Sequence, residues 1–136
     1  MYNWYAVNDS RGLAPAGSHI PSYEELLTLA ANLGGEKVAG GKMKEEGTAH
    51  WDEPNKKANN TSGFTGLPGG YRVSSSINNE KYGFFRYLES DGSWFSSSKA
   101  STNTAWRFSM VNDKSYMSFD NNFTLQCGLS VRCIKD

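Results

Sequence analysis

The chain has no excess of charge: 14 basic and 14 acidic side chains cancel over 136 residues. Without a net field it has no long-range pull toward nucleic acid or an anionic membrane surface, so neither is expected as a partner. No apolar run approaches the ~18 residues that a membrane-crossing helix needs, and no membrane insertion is expected. No segment has the charged, apolar and small-residue layout of a secretory signal. The opening Met1-Tyr2-Asn3-Trp4-Tyr5 reads as folded material, as expected of a mature or excised chain. Histidine is scarce, with two residues. His19 and His50 share no metal-binding spacing, and no Ser-His-Asp order surrounds them. Local hydrogen bonds are expected instead, for His19 beside Pro21 and for His50 beside Trp51. No cofactor is expected. Neither a repeat nor a linker divides the sequence, so 1–136 reads as one domain.

Aliphatic residues are short as well. Val, Ile and Leu total 17, fewer than the 18 aromatics, so the core has to be built from flat rings. Ser, Thr, Asn and Gly contribute 50 residues, which favours turns and irregular connections over long helices. Disorder is not expected, because disordered segments are poor in aromatics.

One segment carries a clear helix signal. Ser22 and Glu25 form a capping box, Leu26, Leu29, Ala30 and Leu33 recur at helical spacing, and Gly34-Gly35 supplies the stop, which predicts a helix over 22–33. A weaker helix is predicted over 36–46, with Gly40-Gly41 expected to interrupt it. From 47 to 80 the sequence reads as turns: Glu53-Pro54-Asn55, Asn59-Asn60, Ser62-Gly63, Pro68-Gly69-Gly70 and Asn78-Asn79. Strand signals appear at 2–7, 83–88 and 93–97.

The second half alternates with period two. Trp106, Phe108 and Met110 share one face of a strand, and Arg107 and Ser109 point the other way. Met117 and Phe119 alternate with Tyr116, Ser118 and Asp120. Leu129, Val131 and Cys133 alternate in a terminal strand. Helices early and antiparallel strands late predict an α+β fold. The outward set is expected to be Arg107, Ser109, Asn112, Tyr116, Ser118, Asp120 and Asn122. Tyr, Ser and Asn suit adaptable contact surfaces, so these seven residues are the candidate ligand-binding face.

Cys127 and Cys133 would stand about 20 Å apart on one extended strand. A disulfide needs roughly 4.4–6.8 Å between Cα atoms, so unpaired thiols are expected unless the chain bends sharply near Gly128.

Several segments together carry a resemblance: Tyr2-Asn3-Trp4-Tyr5-Ala6-Val7, Pro15-Ala16-Gly17-Ser18-His19-Ile20-Pro21-Ser22, Ala39-Gly40-Gly41-Lys42-Met43-Lys44, Leu67-Pro68-Gly69-Gly70-Tyr71-Arg72, Trp94-Phe95-Ser96-Ser97-Ser98, and the ending Gly128-Leu129-Ser130-Val131-Arg132-Cys133-Ile134-Lys135-Asp136. In that order the chain resembles the Fibrobacter succinogenes major paralogous domain, of the C-type-lectin-like superfamily. The resemblance implies paired terminal strands, two helices, and a long irregular loop region over a small twisted antiparallel sheet. It also implies a secreted or bacterial cell-surface setting. The family usually has Cys and Trp where this chain has Ala14 and Ser18, so a disulfide from Cys133 to position 14 is impossible here.

Glu53-Pro54-Asn55 looks like the calcium- and mannose-binding signature of true C-type lectins. That site needs six to eight oxygens around one cation, and the nearest Asn-Asp pair, Asn112-Asp113, begins 57 residues beyond Asn55. A proline turn without calcium is expected. Gly69-Gly70-Tyr71-Arg72, Gly92-Ser93-Trp94 and Arg132-Cys133 are similar to segments of formylglycine-generating enzymes, whose redox-active cysteine site needs a much longer chain. The expected function is therefore non-enzymatic recognition of a protein or carbohydrate ligand through the C-terminal sheet face and loops. Two other readings stand beside it. One is a variable protein of a diversity-generating retroelement, with Phe119, Phe123, Leu125, Gln126 and Cys127 among diversified positions. The other is a structural paralogous domain with no ligand of its own.

Overall fold

Along the chain run α1 (Trp4–Val7), β1 (Ser18–His19), α2 (Tyr23–Asn32), α3 (Glu36–Met43), β2 (Tyr71–Ile77), β3 (Glu80–Arg86), β4 (Asp91–Lys99), β5 (Thr104–Val111), β6 (Ser118–Thr124) and β7 (Ile134–Lys135). The structure is a computed structural model that describes the backbone of residues 1–77 and 80–136 and the side chains of residues 1–74 and 83–136. The expected Asn78-Asn79 turn lies outside the described residues. Three short helices accompany antiparallel sheets, an α+β arrangement.

The strand predicted at 2–7 is instead the single helical turn α1. Asn3 caps it, its Oδ1 accepting from the Ala6 N–H at 3.0 Å, and Trp4 and Val7 bury from the same side. Only Tyr2 keeps a strand-like role, as a bridge to Leu129. Helix α2 begins where the capping box places it. The Glu25 N–H donates to Ser22 Oγ, and the Glu25 carboxylate accepts from the Ser22 N–H at 2.8 Å.

Helix α3 runs straight through Gly40-Gly41, against the expected interruption. A Cβ at Gly40 would overlap the Tyr116 carbonyl, and one at Gly41 would sit 2.6 Å from the Lys57 carbonyl oxygen. Two loops press onto bare helix backbone there, and the Gly41 N–H donates to Ser115 O at 2.8 Å. Tertiary contact outweighs the ~1 kcal/mol per residue that glycine costs a helix.

The turn-rich region is shorter than expected. It ends at Gly70, because Tyr71–Ile77 is strand β2, paired in continuous register with β3 from Tyr71–Arg86 to Ile77–Glu80. The larger sheet has the order β4-β5-β6. The termini meet too: Ser18 pairs with Lys135 and His19 with Ile134.

The β4-β5-β6 sheet lies between two cores. Trp94, Phe108 and Met110 pack on one side with Leu26, Ala30, Met43 and Trp51. Phe95 and Ala105 pack on the other with Trp4, Ile20, Leu125 and Leu129. The alternation along β5 is as predicted, but its consequence differs. The face carrying Arg107 and Ser109 is covered by the second core, so neither residue points into solvent: Ser109 is 5% exposed and the Arg107 side chain 11%. A sheet buried on both faces still shows period-two alternation if its second face holds a polar group whose charge is paired, as Arg107 is with Asp120.

Candidate functional site

Arg107 anchors a polar bridge across all three strands. One guanidinium nitrogen donates to Ser93 Oγ on β4 at 2.6 Å, and the other donates to Asp120 Oδ2 on β6 at 3.1 Å. Ser93 in turn donates to Asp91. Burial pushes the Asp91 carboxyl above its ordinary value, with the Ser93 hydroxyl and Arg107 opposing that rise. Phe123 lies 4.0 Å and Tyr71 5.6 Å from the guanidinium carbon, so rings roof the charge. This network stiffens the sheet and is closed to a large ligand.

The seven expected contact residues therefore separate. Arg107 and Asp120 meet in the ion pair, and Ser109 and Ser118 oppose each other in register. Asn112 lies in the loop after β5, where its amide donates to Glu53 O at 2.9 Å. Tyr116, 40% exposed, belongs to the same loop. Asn122 is exposed at the other end of β6, on the rim of a groove of about 400 Å³ that also touches Tyr71, Phe123 and Cys127.

A larger cleft lies elsewhere. About 600 Å³ in volume, it separates the β2–β3 hairpin from the chain start and the turn at 126–128. Gly69 and Gly128 contribute bare main chain to its surface. Its side chains are the apolar Met1, Phe85 and Leu88 and the polar Asn3, Arg72 and Gln126. Arg72 is fixed at its base, because its N–H donates to Gly128 O at 2.8 Å and its carbonyl accepts from the Gly128 N–H at 2.9 Å. Its guanidinium lies against Gly83, occupying the space that any Cβ there would need. Phe85, directly opposite Arg72 in register, is 67% exposed, and Leu88 is 65% exposed. Apart from the Tyr71-Arg72 motif, these lining residues escape a period-two reading. Their sequence signal is Phe84-Phe85 followed by Tyr87-Leu88, four large apolar residues in five positions. A half-buried strand can cover only alternate ones.

Two further sites organise the loops. Lys44, fully buried just beyond α3, donates its ammonium to the carbonyls of Lys56, Val111, Asn112 and Lys114 at 3.2, 3.1, 3.4 and 2.9 Å. Burial pushes its pKa down to about 8, with Asp113 opposing. The Asn55 amide donates to Glu45 O at 2.8 Å and also to Gly47 O, so the Glu53-Pro54-Asn55 segment clamps its own loop.

His19 joins distant parts of the chain and is not confined to the expected local bond. Its Nδ1 lies 2.6 Å from Asp136 Oδ1 and its Nε2 2.8 Å from Glu25 Oε1. His50 pairs locally with Glu45 at 2.9 Å. Cys127 and Cys133 are free thiols, the first buried. Among the described residues no group of three or more His, Cys, Asp or Glu is gathered to hold a metal ion, and no helix is long and apolar enough to cross a membrane.

Compared with known proteins, residues 1–135 match the family model described as the Fibrobacter succinogenes major domain. No curated protein sequence and no solved structure matches the chain.

Proposed function

The chain belongs to the Fibrobacter succinogenes major domain family, and from that premise we propose that it is a non-enzymatic recognition module on a C-type-lectin-like scaffold, working in a secreted or surface protein of a bacterium. Paired termini, two helices ahead of a long loop region and small antiparallel sheets support the scaffold reading. The observation that carries recognition is the hairpin. Phe84, Phe85, Tyr87 and Leu88 are exposed by 41, 67, 54 and 65%, and Phe85 and Leu88 line a cleft together with the polar Asn3, Arg72 and Gln126. Exposed apolar side chains grouped in this way mark contact surfaces far more often than isolated ones do. The sheet below is held by two cores and the Arg107 bridge, and a preformed surface avoids the ordering cost of association.

A glycan and protein array tests this, probed with the purified chain with and without calcium. Capture by the wild type should be lost by a Phe85→Ala/Leu88→Ser variant whose circular dichroism is unchanged. Equal capture by that variant rejects the placement.

A second reading is a diversified binder of the retroelement type. It is favoured by the exposure of Asn122, Thr124 and Gln126 beside the buried Leu125 and Cys127, since exposed positions can change without loss of the core. Flanking DNA decides it: a nearby reverse-transcriptase gene and a near-repeat of the last part of the coding sequence support it, and their absence rejects it. Leu125 and Cys127, expected among the diversified positions, fill the second core instead, so variation under this reading falls on their exposed neighbours.

A further inference from the structure

We infer that the cleft beside the β2–β3 hairpin takes a ligand bearing a carboxylate next to an apolar face; this rests on the recognition reading and assigns its chemistry. The polar lining is rich in donors, with the Gln126 amide offering an acceptor as well. Asn3 Oδ1 is already engaged by the Ala6 N–H at 3.0 Å, so Asn3 has its amide N–H groups left to offer. Arg72 has no acceptor atom in its side chain. None of the described residues lining the cleft is acidic, and among their side chains only that of Arg72 carries a charge. A planar guanidinium matches a carboxylate with two parallel N–H···O bonds, a geometry that an ammonium does not reproduce.

Preorganisation strengthens the case. The guanidinium sits in the space that a side chain at Gly83 would fill, and the strand that carries it is tied to Gly128 through both main-chain groups of Arg72. Phe85 is the register partner of Arg72 across the hairpin, and Leu88 and Met1 add further apolar lining. A ligand matching this lining carries its negative charge close to a hydrocarbon surface. The C–H face of an acidic sugar and the ring of an aromatic acid both meet this description.

The test is a titration followed by ¹H–¹⁵N spectra of the full chain, read at the amides of Gly69, Gly83 and Gly128. The probes are 3-phenylpropionate and methyl glucuronide, each beside its neutral counterpart, 3-phenylpropionamide and methyl glucoside. At least one carboxylate should shift these amides saturably, and its neutral counterpart should bind about tenfold more weakly or worse, the usual worth of a charge-assisted hydrogen bond. The pair that responds identifies the sugar or the aromatic acid as the source. Arg72→Gln should abolish the charge discrimination, and Arg72→Lys, which keeps charge without the fork, should retain only part of it. Equal binding of a carboxylate and its neutral partner overturns the carboxylate assignment while the cleft stands as a contact site. No shift at these amides with any probe also overturns it, and array capture by the Phe85→Ala/Leu88→Ser variant then decides the recognition reading separately.

Discussion

Arg107 on β5 and Asp120 on β6 pair at 3.1 Å, with the arginine side chain 11% exposed and the aspartate 37%. The inequality predicts unequal costs of removal. Arg107→Met removes the partner of both Asp120 and Ser93 and leaves Asp91 without its neighbouring cation. Breaking a largely buried pair in this way should cost about 3 kcal/mol in urea unfolding. Asp120→Asn keeps an acceptor at a position that water reaches and should cost about 1 kcal/mol or less. Equal losses for the two variants would contradict the bridge as described.

Lys44 has a different kind of partner set, four carbonyls and no carboxylate within bonding distance among the described residues. Lys44→Met keeps the length of the stem but strips the donors from carbonyls on two loops, 56 and 111–114. Buried acceptors left unmet cost ~1–3 kcal/mol each where water cannot reach them, so a loss of about 3 kcal/mol is expected. Hydrogen exchange should rise specifically at Lys56, whose N–H bonds Asn112 O across these loops. A variant as stable as the wild type, with unchanged exchange, would show the cage to be dispensable.

How much of this was legible in the sequence depends on whether the cause was local. The α2 capping box lies within four residues, and it was readable. The alternation of Trp106, Phe108 and Met110 against Arg107 and Ser109 was readable too, since pleating is a backbone property. Solvent exposure of the second face was not, because the residues that cover it, Trp4, Ile20, Leu125 and Leu129, come from both ends of the chain. The same holds for Gly40 and Gly41, whose helix-weakening tendency is intrinsic, while the loops that require them arrive from positions 57 and 116. The cleft needed the bridge between Arg72 and Gly128, 56 residues apart. No pattern around either residue announces it.

The His19 clasp should give the fold a defined pH window. Hydrogen bonds to Asp136 and then to Glu25 raise the His19 pKa above its ordinary 6.5. Its contribution is complete below 6.5 and is lost as pH rises through the raised value. Glu25 is lowered to about 2, first by the Ser22 backbone and hydroxyl and then by His19; its contribution is complete above 4.5 and fades as pH falls toward 2. Both terms are in force between about 4.5 and 6.5. Thermal melts across pH 3–9 should show the wild-type advantage over His19→Gln greatest in that window and smaller at pH 9. A difference that stays constant with pH would mean the clasp makes no titratable contribution.

Gly40→Ala reverses the sign that helix propensity alone assigns. In an exposed helix interior, alanine for glycine gains about 1 kcal/mol. Here the added methyl overlaps the Tyr116 carbonyl, which is backbone and cannot swing aside as a side chain would. The neighbouring residue tightens the constraint, since the Gly41 N–H bonds Ser115 O at 2.8 Å and its carbonyl accepts from the Asn59 N–H at 3.0 Å. Relief requires the 115–117 segment to lift, which draws Met117 out of the first core. Overpacking of this kind typically costs ~1–3 kcal/mol, so Gly40→Ala should be destabilised by about 2 kcal/mol after the propensity gain is counted. Chemical denaturation gives the sign directly. A more stable Gly40→Ala protein would mean that the loop does not seat on α3 as closely as its hydrogen bonds require.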